Sequence, residues 1–238
     1  MILDAHVHCG NTLKFINIYN EWKRAGIAGG VMFPPVEEIY DRYNQAFTDS
    51  SFYRESRKKV HEYLYEIADQ NENIYIYFFV WNDFEKPWKG FSGIKWHRHS
   101  NEPHYEYSSE KCKKLIEHVK SNGIPVLIEE EFSNTIDFLK SINGKAPVVI
   151  PHLGFLNGGY LKLKSEGIFQ ESNVFADTAL ADYHEIEDFV SNFGAEKLFF
   201  GSDYPFGSPY HELSKVREIF SNELFVQITR ENILKLLG

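Results

Sequence analysis

Short apolar runs alternate along this chain with longer amphipathic stretches. The runs are rich in β-branched and aromatic residues, and several are continuously apolar, as in parallel strands that are buried on both faces. Eight strands are therefore predicted, at residues 2–7, 28–33, 74–80, 91–96, 124–128, 147–150, 173–176 and 197–201. The stretches between them have helical periodicity, which is clearest at residues 15–25, 56–71, 109–121, 134–142 and 229–237.

This alternation over 238 residues predicts a single α/β domain, a (β/α)8 TIM barrel that spans residues 1–238. No linker-like stretch divides the chain. A doubly wound open sheet is the alternative, but the polar residues at the strand ends favour the barrel. The longest connection, residues 33–56, is interpreted as a loop insertion that could cap a site.

The first predicted strand ends in a His-x-His pair. Because side chains alternate along a strand, Asp4, His6 and His8 are expected on one face, with the two imidazoles about 7 Å apart. Such a pair can bind one metal ion if other elements supply the remaining ligands. Cys9 has the opposite parity and is predicted to pack in the core. The alternative is an ordinary polar strand end that happens to carry two histidines.

Polar residues follow other apolar runs as well, at the carboxyl end where barrel enzymes keep their chemistry. They are Lys95, His97, Arg98 and His99 after the fourth strand, Glu129 and Glu131 after the fifth, His152 after the sixth and Asp203 after the eighth. Asp177, at the end of the seventh, is either a buffer of the site or a turn residue. Polar residues at so many strand ends are hard to explain by a purely structural role.

Composition narrows the function classes. The formal net charge of −9 argues against nucleic acid, whose binding proteins carry a basic footprint. No apolar run is long enough to span a bilayer, and the start of the chain does not have the pattern of a signal peptide. The 2 cysteines are too few for a disulfide framework. We therefore expect a cytoplasmic protein with a small-molecule substrate and neither nucleic-acid nor membrane partners; a homodimer stays open.

Several of these segments together resemble the amidohydrolase superfamily, specifically the amidohydrolase-related group (family 2) that also contains non-oxidative aromatic-acid decarboxylases. The matching pieces are Asp-Ala-His-Val-His at 4–8, Gly-Ile-Lys-Trp-His at 93–97, Pro-Val-Leu-Ile at 125–128, Pro-His-Leu-Gly at 151–154, Gly-Ser-Asp-Tyr-Pro-Phe at 201–206 and the closing segment 231–237. They follow the family order from end to end of the chain.

The resemblance implies a divalent metal bound by His6, His8 and Asp203, and it implies that Asp203 handles the proton of the attacking water. Family members usually carry a ligand histidine where this chain has Glu129. Because a carboxylate also binds zinc, manganese or iron, Glu129 is predicted as a further ligand. Zinc is the first expectation, with manganese or iron as alternatives and one or two ions. His152 is expected beside the metal, where the neutral ring would hydrogen-bond a developing oxyanion.

The substrate is expected to contact Lys95, His97, Arg98 and Tyr204. Lys95 has three interpretations: a carboxylated ligand that bridges two metals, a point charge for an anionic substrate, or an ion-pair partner of Glu129. Simpler roles stay open for the other residues. Asp203 could cap a helix, His152 could hydrogen-bond a loop, and Glu129 could belong to a solvated acidic run. A register error would exchange Glu129 and Glu131.

These expectations favour a metal-dependent hydrolase that attacks a small amide, lactone or ester with an activated water. A non-oxidative decarboxylase on the same scaffold is the first alternative, with Arg98 or Lys95 binding the acid. Replacement of a neutral histidine by Glu129 would repel an anionic substrate and so favours hydrolysis. The second alternative is a metal-binding or ligand-binding barrel without turnover.

Overall fold

A computed structural model describes all 238 residues of the protein. Its eight strands form one parallel sheet in sequence order, so the predicted barrel is confirmed. They are β1 (Leu3–His8), β2 (Gly29–Phe33), β3 (Ile74–Phe79), β4 (Gly93–His97), β5 (Val126–Glu129), β6 (Val148–Ile150), β7 (Val174–Asp177) and β8 (Leu198–Phe199). The chain after β8 returns to β1, where Ala5 N–H donates to the Phe200 carbonyl at 2.8 Å and Val7 pairs with Tyr204.

Nine α-helices surround the sheet, and the predicted helices all correspond to observed ones. They are α1 (Phe15–Ala25), α2 (Ser51–Gln70), α3 (Glu110–Asn122), α4 (Phe132–Ile142), α5 (Tyr160–Ser165), α6 (Tyr183–Phe193), α7 (Pro209–Ile219), α8 (Asn222–Val226) and α9 (Asn232–Leu237). Helix α2 begins five residues before its predicted start because Ser50 caps it, accepting from Tyr53 N–H at 3.4 Å. None of the helices has the length and apolar character needed to span a bilayer.

The apolar side chains form two layers. The larger core lies between the strands and the surrounding helices. A smaller core fills the barrel interior, where Leu3, Tyr77, Leu127 and Phe199 meet Ile233 of α9. Helix α9 therefore closes the amino-terminal end of the barrel with apolar contacts. The opposite, carboxyl end is left for polar groups.

Strand β1 contains a bulge that changes which residues face the interior. Asp4 pairs with Gly30 but Val7 pairs with Met32, so β1 has one more residue than β2 over this stretch. Leu3 and Ala5 belong to the inner core, whereas Val7 belongs to the outer one. The extra residue thus turns His6 and His8 inward.

The bulge makes the predicted placement of Asp4 wrong. Asp4 lies on the outer side of β1, where it accepts from Trp22 Nε1–H at 3.0 Å and from the Ser202 hydroxyl at 2.6 Å. It anchors α1 and the segment after β8 to β1 instead of lying beneath the histidines. Cys9 packs in the outer core, as predicted.

Candidate metal centre

The ends of β1 and β8 bring His6, His8 and Asp203 to one point. The Nε2 atoms of His6 and His8 each lie 3.2 Å from Asp203 Oδ1, and all three side chains are buried. Ligand atoms around a tetrahedral zinc ion, at about 2.0–2.2 Å from the metal, lie roughly 3.3 Å from one another. The spacing of these three atoms therefore matches that of metal ligands.

Hydrogen bonds behind His6 set the orientation of its ring. His6 Nδ1 lies 2.8 Å from Asp177 Oδ2, a carboxylate oxygen that can only accept, so Nδ1 carries the proton and Nε2 presents its lone pair. In the absence of an ion, His6 Nε2 and Asp203 Oδ1 are buried with no hydrogen-bond partner. The 3.2 Å contact between these two electron-rich atoms needs a positive charge, which either a second proton on the His6 ring or a metal ion supplies. The residues present therefore fit a divalent metal.

The charges around these residues favour a positive group at the same point. Burial lowers the pKa of His6, but the carboxylates of Asp177 and Asp203 outweigh burial and raise that pKa to about 9. Burial raises the pKa of Asp203, but His6 and His8 outweigh it and hold that pKa well below its usual range. Asp203 is therefore ionised and available as a ligand at neutral pH.

His152, which follows β6, faces the same end of the barrel from a left-handed backbone conformation with φ of 56°. Its Nδ1 lies 3.1 Å from the Ala179 carbonyl, and its Nε2 lies 3.9 Å from Asp203 Oδ2 and 3.6 Å from Glu129 Oε2. A carbonyl only accepts, so Nδ1 carries a proton, and Nε2 is the nitrogen that faces the two carboxylates. Because the Nδ1 proton is used by the carbonyl, a neutral His152 has no N–H left to donate to an oxyanion, and the predicted role requires a proton on Nε2 as well.

Glu129 belongs to a different group from the one predicted. Strand β5 is paired with β4 in a register that places Glu129 beside His97. Glu129 Oε2 lies 3.0 Å from Lys95 Nζ, while Oε1 lies 2.9 Å from His97 Nε2 and 2.6 Å from His99 Nε2. Neighbouring strands bring these side chains together, whereas β1 lies across the barrel. Glu129 is therefore not among the group formed by His6, His8 and Asp203.

Of the three interpretations of Lys95, the ion pair with Glu129 is the contact present. The Lys95 side chain is fully buried, and its ammonium also lies 4.7 Å from the centre of the Phe33 ring. His97 shares the inward face with Lys95, because side chains two residues apart on a strand point the same way.

Arg98 is not brought to the site. It points to the opposite face of β4 from Lys95 and His97, because side chains alternate along the strand. Its guanidinium is buried among three aromatic rings and donates from Nη1 to the His97 carbonyl at 2.5 Å. The rings belong to Tyr40, Trp81 and Tyr105. Arg98 thus supports the backbone of His97 and is not available to bind an acid.

Tyr204 is not brought to the site either. It pairs with Val7, which faces outward, and it packs against the outer core. Two residues later, Phe206 places its ring 5.6 Å from the ring of His8. Phe206, and not Tyr204, therefore lies beside the candidate metal ligands at this point.

A cavity of about 260 Å³ opens beside His8. Its walls come from the loops after β1, β2 and β8, and they are formed by His8, Thr12, Leu13, Pro35, Val36, Glu37, Arg42, Pro205 and Phe206. Four of these residues belong to the long connection after β2, the segment that was interpreted as a possible cap of the site. The volume suits a small ligand.

Comparison with known proteins agrees with this architecture. The sequence model of the family described as Amidohydrolase matches residues 89–238, more than half of the chain. The chain belongs to the amidohydrolase family. Members of this family are enzymes, decarboxylases and hydrolases among them, and they generally depend on a divalent metal. No curated protein matches the chain.

Solved structures of this family superpose on the whole barrel. A 2,6-dihydroxybenzoate decarboxylase from Rhizobium has a TM-score of 0.74 at 12% identity, covering 99% of this chain and 97% of its own. A protein from Pseudomonas putida assigned as a 2-pyrone-4,6-dicarboxylic acid hydrolase has a TM-score of 0.70 at 12% identity, covering 100% and 97%. An amidohydrolase from Burkholderia multivorans with bound zinc has a TM-score of 0.70 at 12% identity, covering 100% and 99%. At these identities the likeness shows the fold.

Sequence reasoning left three residues of the site unassigned. Asp177 was ambiguous between a buffer and a turn residue, although its place at the end of a strand was a usable signal. Glu102 approaches the rings of His97 and His99 from a loop with no recognisable motif. Phe206 carries no polar group that would mark it as a site residue, whereas Tyr204, two residues earlier, does.

Proposed function

We propose that this protein is a divalent-metal-dependent hydrolase of small carbonyl compounds such as amides, lactones or esters. The observation that carries the proposal is the convergence of His6 Nε2 and His8 Nε2 on Asp203 Oδ1 at 3.2 Å, with His6 held by Asp177. A divalent ion bound there would supply a Lewis acid and lower the pKa of a bound water towards about 7.

The residues of the chain then have separate roles. Asp203 directs Oδ1 to the two histidines and leaves Oδ2 facing His152, 3.9 Å from its Nε2. Asp203 Oδ2 and His152 Nε2 thus lie on the same side of the site. In this proposal Asp203 removes the proton of the nucleophilic water and passes it to the leaving group, and His152 holds that water in line.

The cavity supports a small and partly apolar substrate. Leu13, Pro35 and Phe206 give its walls apolar surface, and Arg42 contributes a cation that is already paired with Glu102 at 2.6 Å. Because the guanidinium is neutralised, a strongly anionic substrate gains little from it. A carbonyl compound of modest charge is therefore the substrate class that we propose.

Decarboxylation of an aromatic or unsaturated acid is the second candidate. It is supported by Lys95, whose buried ammonium is paired with Glu129 at 3.0 Å and lies at the same end of the barrel as the candidate metal ligands. The decarboxylase from Rhizobium shows that this fold accommodates such chemistry. The two candidates differ in product, because hydrolysis incorporates oxygen from ¹⁸O-labelled water and decarboxylation releases CO2.

Asp203→Asn tests both candidates against a barrel that only binds ligands. We expect the zinc-loaded or manganese-loaded wild type to turn over a member of a panel of lactones, amides, esters and aromatic acids. We expect the variant to lose activity at least about 100-fold, because it removes a proton acceptor and a charged ligand. Asp137→Asn, at a side chain that is 74% exposed, is the matched control. Turnover by Asp203→Asn equal to wild type would exclude the proposed role of this residue.

A further inference from the structure

A second group of histidine and carboxylate side chains lies at the ends of β4 and β5. His97 Nε2 and His99 Nε2 lie 2.9 and 2.6 Å from the same atom, Glu129 Oε1. All three ligand atoms lie within 4.8 Å of one another. None of these atoms belongs to the group formed by His6, His8 and Asp203. The ends of two adjacent strands thus present two imidazoles and one carboxylate to a common point.

One buried carboxylate stands behind both histidines. Glu102 Oε2 lies 3.5 Å from His97 Nδ1, and Glu102 Oε1 lies 3.8 Å from His99 Nδ1. Glu102 is itself held by the Tyr40 hydroxyl at 2.5 Å and by Arg42 Nη2 at 2.6 Å. Metal-binding histidines commonly direct their other ring nitrogen to such a carboxylate, which orients the ring and increases its basicity. In the structure the Tyr40 hydroxyl lies 3.4 Å from His97 Nδ1 and Arg42 Nη2 lies 3.5 Å from His99 Nδ1, so Glu102 is the acceptor to which each Nδ1–H would turn when Nε2 binds an ion.

Glu129 is oriented for coordination through one oxygen. Lys95 Nζ holds Oε2 at 3.0 Å, so Oε1 alone faces the two histidines. The 2.6 Å contact with His99 has to open to roughly 3.3 Å for an ion to lie between the two atoms. The His99 side chain is 27% exposed, which gives it room to move and gives an ion a path from solvent.

We propose that His97, His99 and Glu129 form a second metal site, which takes one divalent transition-metal ion. Two imidazole nitrogens and one carboxylate oxygen suit zinc, iron, cobalt or manganese better than magnesium or calcium, which prefer oxygen ligands. The site depends on none of the residues that hold the first ion. The presence of this second site is therefore independent of whether the protein is the proposed hydrolase.

Counting cobalt ions in the full-length protein tests this proposal. Chelator-treated protein is dialysed against Co²⁺ and analysed for metal, and the absorption bands of cobalt bound to histidine are recorded. We expect two equivalents in wild type and one each in His8→Ala and His99→Ala. The double variant should bind none. His184→Ala, at a histidine that is 93% exposed, is the control and should bind two. His99→Asn and circular dichroism check that any loss does not reflect unfolding.

The outcomes separate the two sites. One equivalent in wild type that disappears in His8→Ala and persists in His99→Ala would overturn the second site. Two equivalents in both wild type and His99→Ala would also overturn it, because the second ion would lie elsewhere. Loss of an ion in His99→Ala with no loss in His8→Ala would support the second site and contradict the metal centre of the proposed hydrolase.

Discussion

At the residue scale, Asp177 sets the orientation of the His6 ring. Its Oδ2 accepts from His6 Nδ1 at 2.8 Å, and its Oδ1 accepts from the backbone N–H groups of His152 and Ala179 at 2.9 and 3.1 Å. Both oxygens therefore accept hydrogen bonds, and all three donors require an acceptor at this position. Asp177 is a positioning residue, because it acts on the metal site through His6 and His152.

We predict that Asp177→Asn weakens metal binding at the first site by about 10- to 100-fold. The amide has only one acceptor atom, so either His6 or the backbone at His152 faces an N–H group. The dissociation constant for Co²⁺ or Zn²⁺ measured by competition with a chelator checks this, with Asp137→Asn as the control. An affinity within twofold of wild type would show that Asp177 does not position His6.

Arg98 shows why a residue type alone does not assign a role. An arginine after an apolar strand suggests an anion site, but the three rings that enclose it come from Tyr40, Trp81 and Tyr105. These residues lie on different segments and meet only when the barrel has formed. Parity predicts that Arg98 faces away from Lys95, but not what occupies the space there.

At the element scale, His61 joins α2 to β3 as a neutral group. His61 Nε2 accepts from Phe79 N–H at 3.0 Å, and its ring stacks on Phe78 at 4.1 Å. Burial lowers the pKa of His61 to about 3. The folded protein therefore does not protonate His61 until well below pH 6.5, whereas the unfolded chain protonates it near its ordinary pKa. The unfolded state binds more protons in this window, so stability falls as pH falls through it.

We predict that His61→Gln reduces this pH dependence, because glutamine keeps an acceptor for Phe79 N–H but does not titrate. Between pH 7.5 and pH 5, wild type should lose about 2 kcal/mol of unfolding free energy more than the variant does. Urea unfolding at the two pH values measures the difference. His184→Gln should retain the wild-type dependence, and an equal loss in His61→Gln and wild type would contradict the buried neutral histidine.

The strands themselves were predictable as elements, but their irregularities were not. Continuous apolar runs marked β5, β6 and β8 because both faces of these strands are buried. The bulge in β1 has no such signal, since it depends on the pairing of Asp4 with Gly30 and of Val7 with Met32. It changed the expected face of Asp4 and left the expected partnership of His6 and His8 intact.

At the scale of the whole molecule, the two ends of the barrel have different tasks. The amino-terminal end is closed by apolar side chains, including Ile233 of α9, which is 2% exposed. The carboxyl end carries the candidate metal ligands and the cavity. This division of stability and chemistry between the two faces is the general pattern of the fold.

We predict that Ile233→Ala lowers the unfolding free energy by about 2–5 kcal/mol and leaves metal stoichiometry unchanged. The reason is that the cavity created at the closed end lies far from the metal ligands. Denaturant unfolding and metal analysis of the same samples check both parts. Leu161→Ala, at a side chain that is 73% exposed, is the control and should change stability little. Loss of metal from folded Ile233→Ala would contradict the separation of the two ends.

The sequence by itself determined the alternation of strands and helices, the family, and the positions of His6, His8, His152 and Asp203 at strand ends. These features follow from local periodicity and short motifs, which do not depend on distant contacts. Only the tertiary structure decided which polar residues meet. Glu129 joins His97 and His99 because of the register between β4 and β5, and His152 has its tautomer set by a carbonyl 27 residues away. Such partnerships depend on strand register and loop paths, and these are fixed by the packing of the whole barrel.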